Sequence, residues 1–312
     1  MSEDKTQTQP PGFSGIRALE RESERIISAV ESGPRIGLAL GGGGARGLAH
    51  ILALQVFDEL GLKPAIISGS SIGALMGAAY ASELSAAEIR AYVLELFENK
   101  REVLRRLISA RPRKLIDLFE LSPVSQAQIT PEGLLEMFLP RQMAREFRFL
   151  QIPLLVVTTD YYARKQRVVK KGPLFPALAA SIALPTIFRP QVIGGRVLID
   201  GGIANPLPFD LLKKHCDITV AIDVTGGPVG DPAEIPGIID ASFGATQIMQ
   251  HAIIDAKLER ERPDILIRPM VDEFRVLEFF RPEDIIKAAL PMKEELRLAL
   301  DDRITAFERK NF

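Results

Sequence analysis

A single cysteine, Cys216, stands in 312 residues, with no tryptophan and three histidines. The lone thiol excludes an intramolecular disulfide framework and any multi-cysteine metal site, and it fits a reducing compartment. Charge of one sign is missing as well. Lys and Arg number 39 against 40 Asp and Glu, a formal net charge of −1, so no global pull toward nucleic acid exists. There is no long apolar run. The longest uncharged stretch, Pro64 to Ser82, is long enough to cross a bilayer, but Gly69, Gly73, Gly77 and its serines leave too little apolar side chain for that. The first residues are acidic and polar, without an apolar stretch behind a basic start, so a short disordered leader is expected rather than a secretory signal. What is present is ordinary for a soluble globular protein: 46% hydrophobic and 25% charged residues.

Phe13 to Ser32 has helical apolar spacing and ends at Gly33-Pro34. Ile36 to Leu40 is a short apolar run followed by four glycines and a helix-like segment, Leu48 to Leu60. The pattern strand, tight turn, helix returns at Ala65 to Ile67, Ser68 to Gly73 and Ala74 to Ala81. Ala86 to Pro140 reads as helical with charged faces, an insertion in which Thr130 caps a helix begun by Pro131. Strands are expected again at Pro153 to Thr158, Arg167 to Lys170, Val197 to Ile199, Asp217 to Asp223 and Asp264 to Ile267. A long helix follows Ile238 to about Glu261, and two more, split at Pro291, fill Pro282 to Phe312. Strands alternating with helices imply an α/β fold with a mainly parallel central sheet covered on both faces.

Three segments can carry chemistry. Gly42, Gly44 and Gly47 satisfy G-x-G-x-x-G between a strand and a helix, where converging backbone N–H groups and a helix start receive an anion, whether phosphate or transient oxyanion. A dinucleotide site would place an acid about 20 residues on. This chain has Ser68-Gly-Ser-Ser-Ile-Gly73 there instead, which leaves nucleotide binding as the lesser alternative. Gly69-Ser-Ser-Ile-Gly73 matches G-x-S-x-G, a strained turn presenting Ser71 above the sheet edge with the N–H of Ile72 beside it. Close packing by small residues is the plainer alternative. Asp200 ends an apolar strand and is followed by Gly201 and Gly202; an acid there suits catalysis in an α/β sheet, and Asp-Gly is equally a common turn signature. His50, His215 and His251 are the available imidazoles for a histidine-dependent triad, and no local pattern singles one out.

Taken in order, G-G-G-x-R-G at Gly42 to Gly47, G-x-S-x-G at Gly69 to Gly73 and D-G-G at Asp200 to Gly202 resemble the patatin-like phospholipases. Leu38 to His50 and Ala180-Ser-Ile-Ala-Leu-Pro185 resemble the bacterial and neuropathy target esterase branches of that family. The resemblance runs from about Ile36 to Leu212, and no family motif stands in Glu88 to Pro140 or beyond Thr225. It implies a three-layer α/β/α fold and a Ser–Asp dyad without histidine: Ser71 as nucleophile, Asp200 as its base, and amides of Gly42, Gly43, Gly44 and Ile72 as the oxyanion hole. Arg46, Gly47, Gly69, Gly73, Gly201 and Gly202 would support them, with Arg46 either a nearby positive charge or a loop anchor. No metal and no organic cofactor is implied. In these terms residues 1–34 form a leader and helix, 35–225 a catalytic core with a helical cap insertion at about 88–140, and 226–312 a C-terminal helical region completing the fold.

The implied substrates are lipid acyl esters, a phospholipid, a lysophospholipid or another, with acyl transfer through the same Ser71 acyl-enzyme as the near alternative. An acyl groove is expected from the long helix, at Ile238, Ile239, Phe243, Ile248, Met249 and Ile253, and from Leu174 to Phe188. Lys100 to Lys114 carries Lys100, Arg101, Arg105, Arg106, Arg111, Arg113 and Lys114 against Glu102, with apolar residues between. Such a stretch can dock on anionic lipid, and it can equally be a solvated face. The location expected is cytoplasmic, with peripheral contact at the inner membrane surface through that stretch.

Overall fold

Ile36–Leu40 is buried along its whole length, as a central strand covered on both faces must be. It is β1 of an eight-stranded mixed sheet in a computed structural model that describes residues 33–98, 131–185, 187–231 and 233–311. The other strands are β2 (Ile66–Ser70), β3 (Leu154–Asp160), β4 (Lys165–Val169), β5 (Gln191–Ile193), β6 (Arg196–Asp200), β7 (Ile218–Ile222) and β8 (Ile265–Ile267). The order is β5-β6-β3-β2-β1-β7-β8, with β4 paired to β3 off that path. Pairs β1–β2, β1–β7, β2–β3 and β7–β8 are parallel. Pairs β3–β4, β3–β6 and β5–β6 are antiparallel. The central, wholly buried strands are the parallel ones, and the exposed margin is antiparallel, as burial on both faces predicts.

The helices are α1 (His50–Glu59), α2 (Ile72–Ala81), α3 (Ala86–Glu98), α4 (Pro131–Phe138), α5 (Leu174–Ser181), α6 (Ile238–Arg260), α7 (Pro282–Ala288) and α8 (Pro291–Asn311). They cover the sheet from two sides. On one face Ala39, Ile66, Leu155 and Ala221 pack with Ile254 and Leu258 of α6 and with Leu207, Phe209 and Leu212 after β6. On the other, α2 lies against β1, β2 and β3, and α5 against β3, β5 and β6. Gly77 lets α2 approach closely: a methyl there would come within 2.9 Å of Ile67 and 3.3 Å of Leu154. The result is the three-layer α/β/α arrangement. Arg35–Arg303 forms one compact unit; of a second, comprising Met1–Pro34 and Ile304–Phe312, the described part is Gly33–Pro34 and the end of α8.

Two local features differ from the reading of the sequence. Gly44–Ala49 is a 3-10 turn and the α-helix begins only at His50; Gly44 enters the turn at φ 60°, left-handed backbone open to glycine. Strand β5 was not expected; three residues between Pro190 and Gly194 are too short to show alternation, and its partner β6 defines it. The leader and first helix, residues 99–130 of the insertion, and the basic run Lys100 to Lys114 lie outside the described residues. Among the described residues, no helix is long and apolar enough to cross a membrane.

Candidate active site

The register of β3 brings the two acid-base candidates together. Val156 and Val157 pair with both β2 and β4, so these two strands lie on opposite edges of β3. Residues 158–160 pair with both β4 and β6, which puts β6 on the same edge as β2. Along that edge β2 runs parallel to β3 and ends at Ser70 opposite Val157, while β6 runs antiparallel and ends at Asp200 opposite Thr158. Two strand ends thus meet head to head. Ser71, the next residue after β2, donates through Oγ to Asp200 Oδ2 at 2.7 Å.

Ser71 holds φ 54° and ψ −124°, a backbone conformation costing a non-glycine residue on the order of 1–3 kcal/mol and found where surrounding structure over-determines it. Here α2 begins at once behind it. A methyl on Gly73 would strike the Leu40 carbonyl, lying 2.6 Å from its carbon, so only glycine lets α2 start this close to β1. Gly69 meets the Ala74 backbone and Gly201 the Val157 carbonyl in the same way. The Ser71 N–H donates to Ser181 Oγ at 2.9 Å, and Ser181 Oγ donates to Val157 O at 2.6 Å.

Asp200 is buried and held on every side. Its Oδ1 accepts from Gly202 N at 2.7 Å, its backbone carbonyl from Thr159 Oγ1 at 2.8 Å, and its N–H donates to Ala183 O at 3.0 Å. Burial pushes its carboxyl up from 3.8 to about 6, against the hydrogen bonds from Ser71 and Gly202 that favour the charged form.

The glycine loop faces the same place. Gly42, Gly43, Gly44, Ser71, Ile72 and Asp200 all line one cavity. Gly41 N–H donates to Ile222 O at 3.0 Å and Gly42 N–H to Pro206 O at 2.9 Å, so Gly42 fixes the loop to the chain after β6 instead of offering its hydrogen. The N–H groups of Gly43, Gly44 and Ile72 donate to no carbonyl among the described residues. Gly47 packs on Ile72, where a methyl would stand 2.6 Å from Cγ1. Arg46 lies beneath the loop with 0% exposure, its Nε donating to Gly43 O at 3.3 Å. The Gln247 amide of α6, with its oxygen turned to the guanidinium, accepts from Nη1 at 3.1 Å. Desolvation lowers Arg46 to about 10, partly offset by Asp272 and Asp223, so it stays charged and braces the loop from inside.

No imidazole lines the cavity among the described residues. His50 is fully buried and donates from Nε2 to Gly41 O at 2.9 Å, and burial lowers it to about 4, so it is neutral at pH 7. His251 Nε2 bonds Gly226 O at 2.9 Å, and His215 is exposed.

The cavity has a volume of about 430 Å³, within the usual range for small-molecule sites. Its walls differ from those expected. Of the long helix α6 only Phe243 supplies apolar lining, whereas Ile238 is 85% exposed and Ile239, Ile248 and Met249 also face outward. The segment after α5 contributes Leu184, Ile187 and Phe188 as expected. Further apolar lining comes from Leu75 and Met76 of α2, Ile89, Val93 and Leu96 of α3, Leu135 of α4, and Phe279 and Phe280 before α7. Ser181, Gln247 and Gln250, whose Nε2 donates to Gly202 O at 3.1 Å, were not identified from sequence. A polar residue on a helix face next to apolar ones carries no local signal of its partner. Among the described residues no cluster of His, Cys, Asp or Glu could hold a metal ion.

The sequence model of the patatin-like phospholipase family matches residues 38–213. An NTE family protein of Mycobacterium tuberculosis is 35% identical over 209 residues, covering 64% of this chain and 51% of its own. Patatin-like phospholipase domain-containing protein 6 of Homo sapiens is 32% identical over 214 residues, covering 67% of this chain and 15% of its own. The chain therefore matches about half the length of the mycobacterial relative and a much smaller part of the human one. Among solved structures, VipD from Legionella pneumophila aligns with 84% of this chain and 66% of its own at 16% identity and a TM-score of 0.46.

Proposed function

Because the chain belongs to the patatin-like phospholipase family, we propose that it hydrolyses lipid acyl esters, of phospholipase A or lysophospholipase type, through Ser71 and Asp200. The observation that carries this reading is the 2.7 Å bond from Ser71 Oγ to a buried carboxylate at the wall of an apolar cavity. Ser71 Oγ attacks the ester carbonyl carbon while its proton passes to Asp200 Oδ2. The carbonyl oxygen, now negative, turns toward the N–H groups of Gly43, Gly44 and Ile72, which are fixed in advance and cost no reorganisation. The tetrahedral adduct collapses, the leaving alkoxide takes the proton from Asp200, and an acyl group remains on Ser71. Water then attacks that ester, again giving its proton to Asp200, and the acid departs with Ser71 restored.

An aspartate of ordinary pKa is a weak base at neutral pH. At about 6 Asp200 is mostly ionised at pH 7 yet basic enough to share the proton, which is where general-base catalysis is efficient. The apolar walls accept the acyl chain at about 0.8 kcal/mol per buried methylene. Ser71 and Asp200 hold the reacting end.

The test is turnover of a p-nitrophenyl acyl ester together with intact mass after an organophosphonate probe. Wild type should turn over and gain one probe mass, Ser71→Ala should do neither, and a His215→Ala/His251→Ala double variant should retain activity. Turnover in Ser71→Ala, or its loss with the histidines, would overturn the assignment.

A further inference from the structure

The β2–β3 ladder leaves one rung to be filled, and what fills it is not a strand. Parallel strands are bonded at every second residue, and the first rung here runs from Ile67 N–H to Pro153 O at 2.9 Å. Continued by twos in the observed register, rungs fall at Gly69 toward Leu155 and at Ser71 toward Val157. At Ser71 the backbone has already turned out of the sheet, and the direct bond is replaced. Ser71 N–H donates to Ser181 Oγ at 2.9 Å, and that hydroxyl donates to Val157 O at 2.6 Å. Ser181 is fully buried at the end of α5, so no water competes for either bond. Two residues on, Ala183 O accepts the N–H of Asp200 at 3.0 Å. One three-residue segment therefore holds the main-chain amide on each side of the Ser71–Asp200 bond.

We propose that Ser181 is a positioning residue: its hydroxyl replaces the last rung of the β2–β3 ladder and, with the Ala183 carbonyl, sets the distance between Ser71 Oγ and the Asp200 carboxylate. This rests on the acyl-ester reading above. Ser181 does not itself line the cavity; it acts through the backbone of Ser71. Removing it leaves a buried N–H and a buried carbonyl without partners and frees Ser71 to relax from φ 54°. Relaxation would carry Oγ away from Asp200, and a misplacement of about 1 Å can cost on the order of 10²-fold in rate.

The experiment compares wild type, Ser181→Ala, Ser181→Cys and Thr219→Val, the last losing a buried hydroxyl on β7. Each is titrated with the organophosphonate, so that turnover is expressed per reactive Ser71. Ser181→Ala should lose at least 10-fold in kcat per titrated site with KM little changed, and Ser181→Cys, a weaker donor and acceptor, should fall between. Among the described residues the carboxyl of Asp200 is bonded to Ser71 and Gly202, so a weaker Ser71 bond should also move the acid limb of kcat/KM to higher pH. Thr219→Val should lower Tm while leaving per-site turnover and the limb in place. Wild-type kcat per site and an unmoved limb in Ser181→Ala, or in Ser181→Cys where the alanine variant does not fold, would overturn the proposal. Failure of wild type to react with the probe would instead overturn the Ser71 reading on which it rests.

Discussion

Replacing Asp200 by asparagine separates what this residue contributes to chemistry from what it costs the fold. Asparagine keeps the shape, and its oxygen can still accept from Gly202 N–H, but its nitrogen donates to Ser71 Oγ and takes no proton. Turnover should fall by about 10²- to 10⁴-fold, the usual contribution of a positioned base. Stability should move the other way. Burial raises the carboxyl from 3.8 to about 6, so the folded state binds more protons than the unfolded one between those values, and stability is lost as pH rises through the folded pKa. About 2 pKa units correspond to about 3 kcal/mol of charge-burial cost that is fully present above pH 7. Asp200→Asn removes that cost. The variant should therefore be more stable than wild type by about 3 kcal/mol at pH 8 and by about half of that at pH 5. Urea unfolding of both proteins at the two pH values reads this directly. A variant less stable than wild type at pH 8, or a gain that does not shrink toward pH 5, would refute the argument that Asp200 is held charged against its environment.

Three further outcomes are expected. The wild-type pH profile of kcat/KM for a p-nitrophenyl ester should rise through a limb near pH 6, the carboxyl of Asp200, and a limb near pH 4 would show the carboxyl to be solvated instead. Gly73→Ala forces a methyl onto the Leu40 carbonyl and should cost at least about 1–3 kcal/mol as an overpacking change, measured by chemical denaturation, together with loss of probe labelling at Ser71. Val93→Trp, which fills part of the cavity wall, should shift the preference toward shorter acyl esters, by about 0.8 kcal/mol for each methylene excluded, and an unchanged chain-length profile would place the acyl chain elsewhere.

Much of the architecture was legible because it is written in short-range pattern. The uncharged run Ile36 to Leu40 and the glycines after it announce a buried strand and a loop, and both are present. Long helices bounded by Gly237 and Pro291 are where their punctuation puts them. The cavity wall was not legible. Helix α6 turns Gln247, Gln250 and Lys257 inward, where Lys257 Nζ bonds Leu207 O at 2.6 Å, and leaves Ile238, Ile239 and Met249 outside. The inward face thus mixes these polar groups with Phe243, Ile254 and Leu258, so the helix has no continuous apolar stripe from which its orientation could be inferred. The engagement of the Gly42 amide by Pro206 was equally invisible, since a backbone bond between residues so far apart leaves no mark on side-chain pattern. Ser181 lay within a segment whose resemblance was recognised, yet its partner Val157 is identified only by strand register.

The meeting of β2 and β6 on one edge of β3 also makes the reacting geometry indifferent to chain length. The spacing of Ser71 and Asp200 is set by two adjacent positions, Val157 and Thr158, not by the chain that connects them. Helices α3 and α4, which contribute to the cavity, lie within that connection. Segments there can lengthen, shorten or change composition without altering the strand ends, since each doubling of a loop costs only about 0.6 kcal/mol. On the proposed function, recognition and reaction would then rest on separate parts: the helices between β2 and β3 would form a roof that can be remodelled for another acyl chain, over a floor of strand ends that stays as it is.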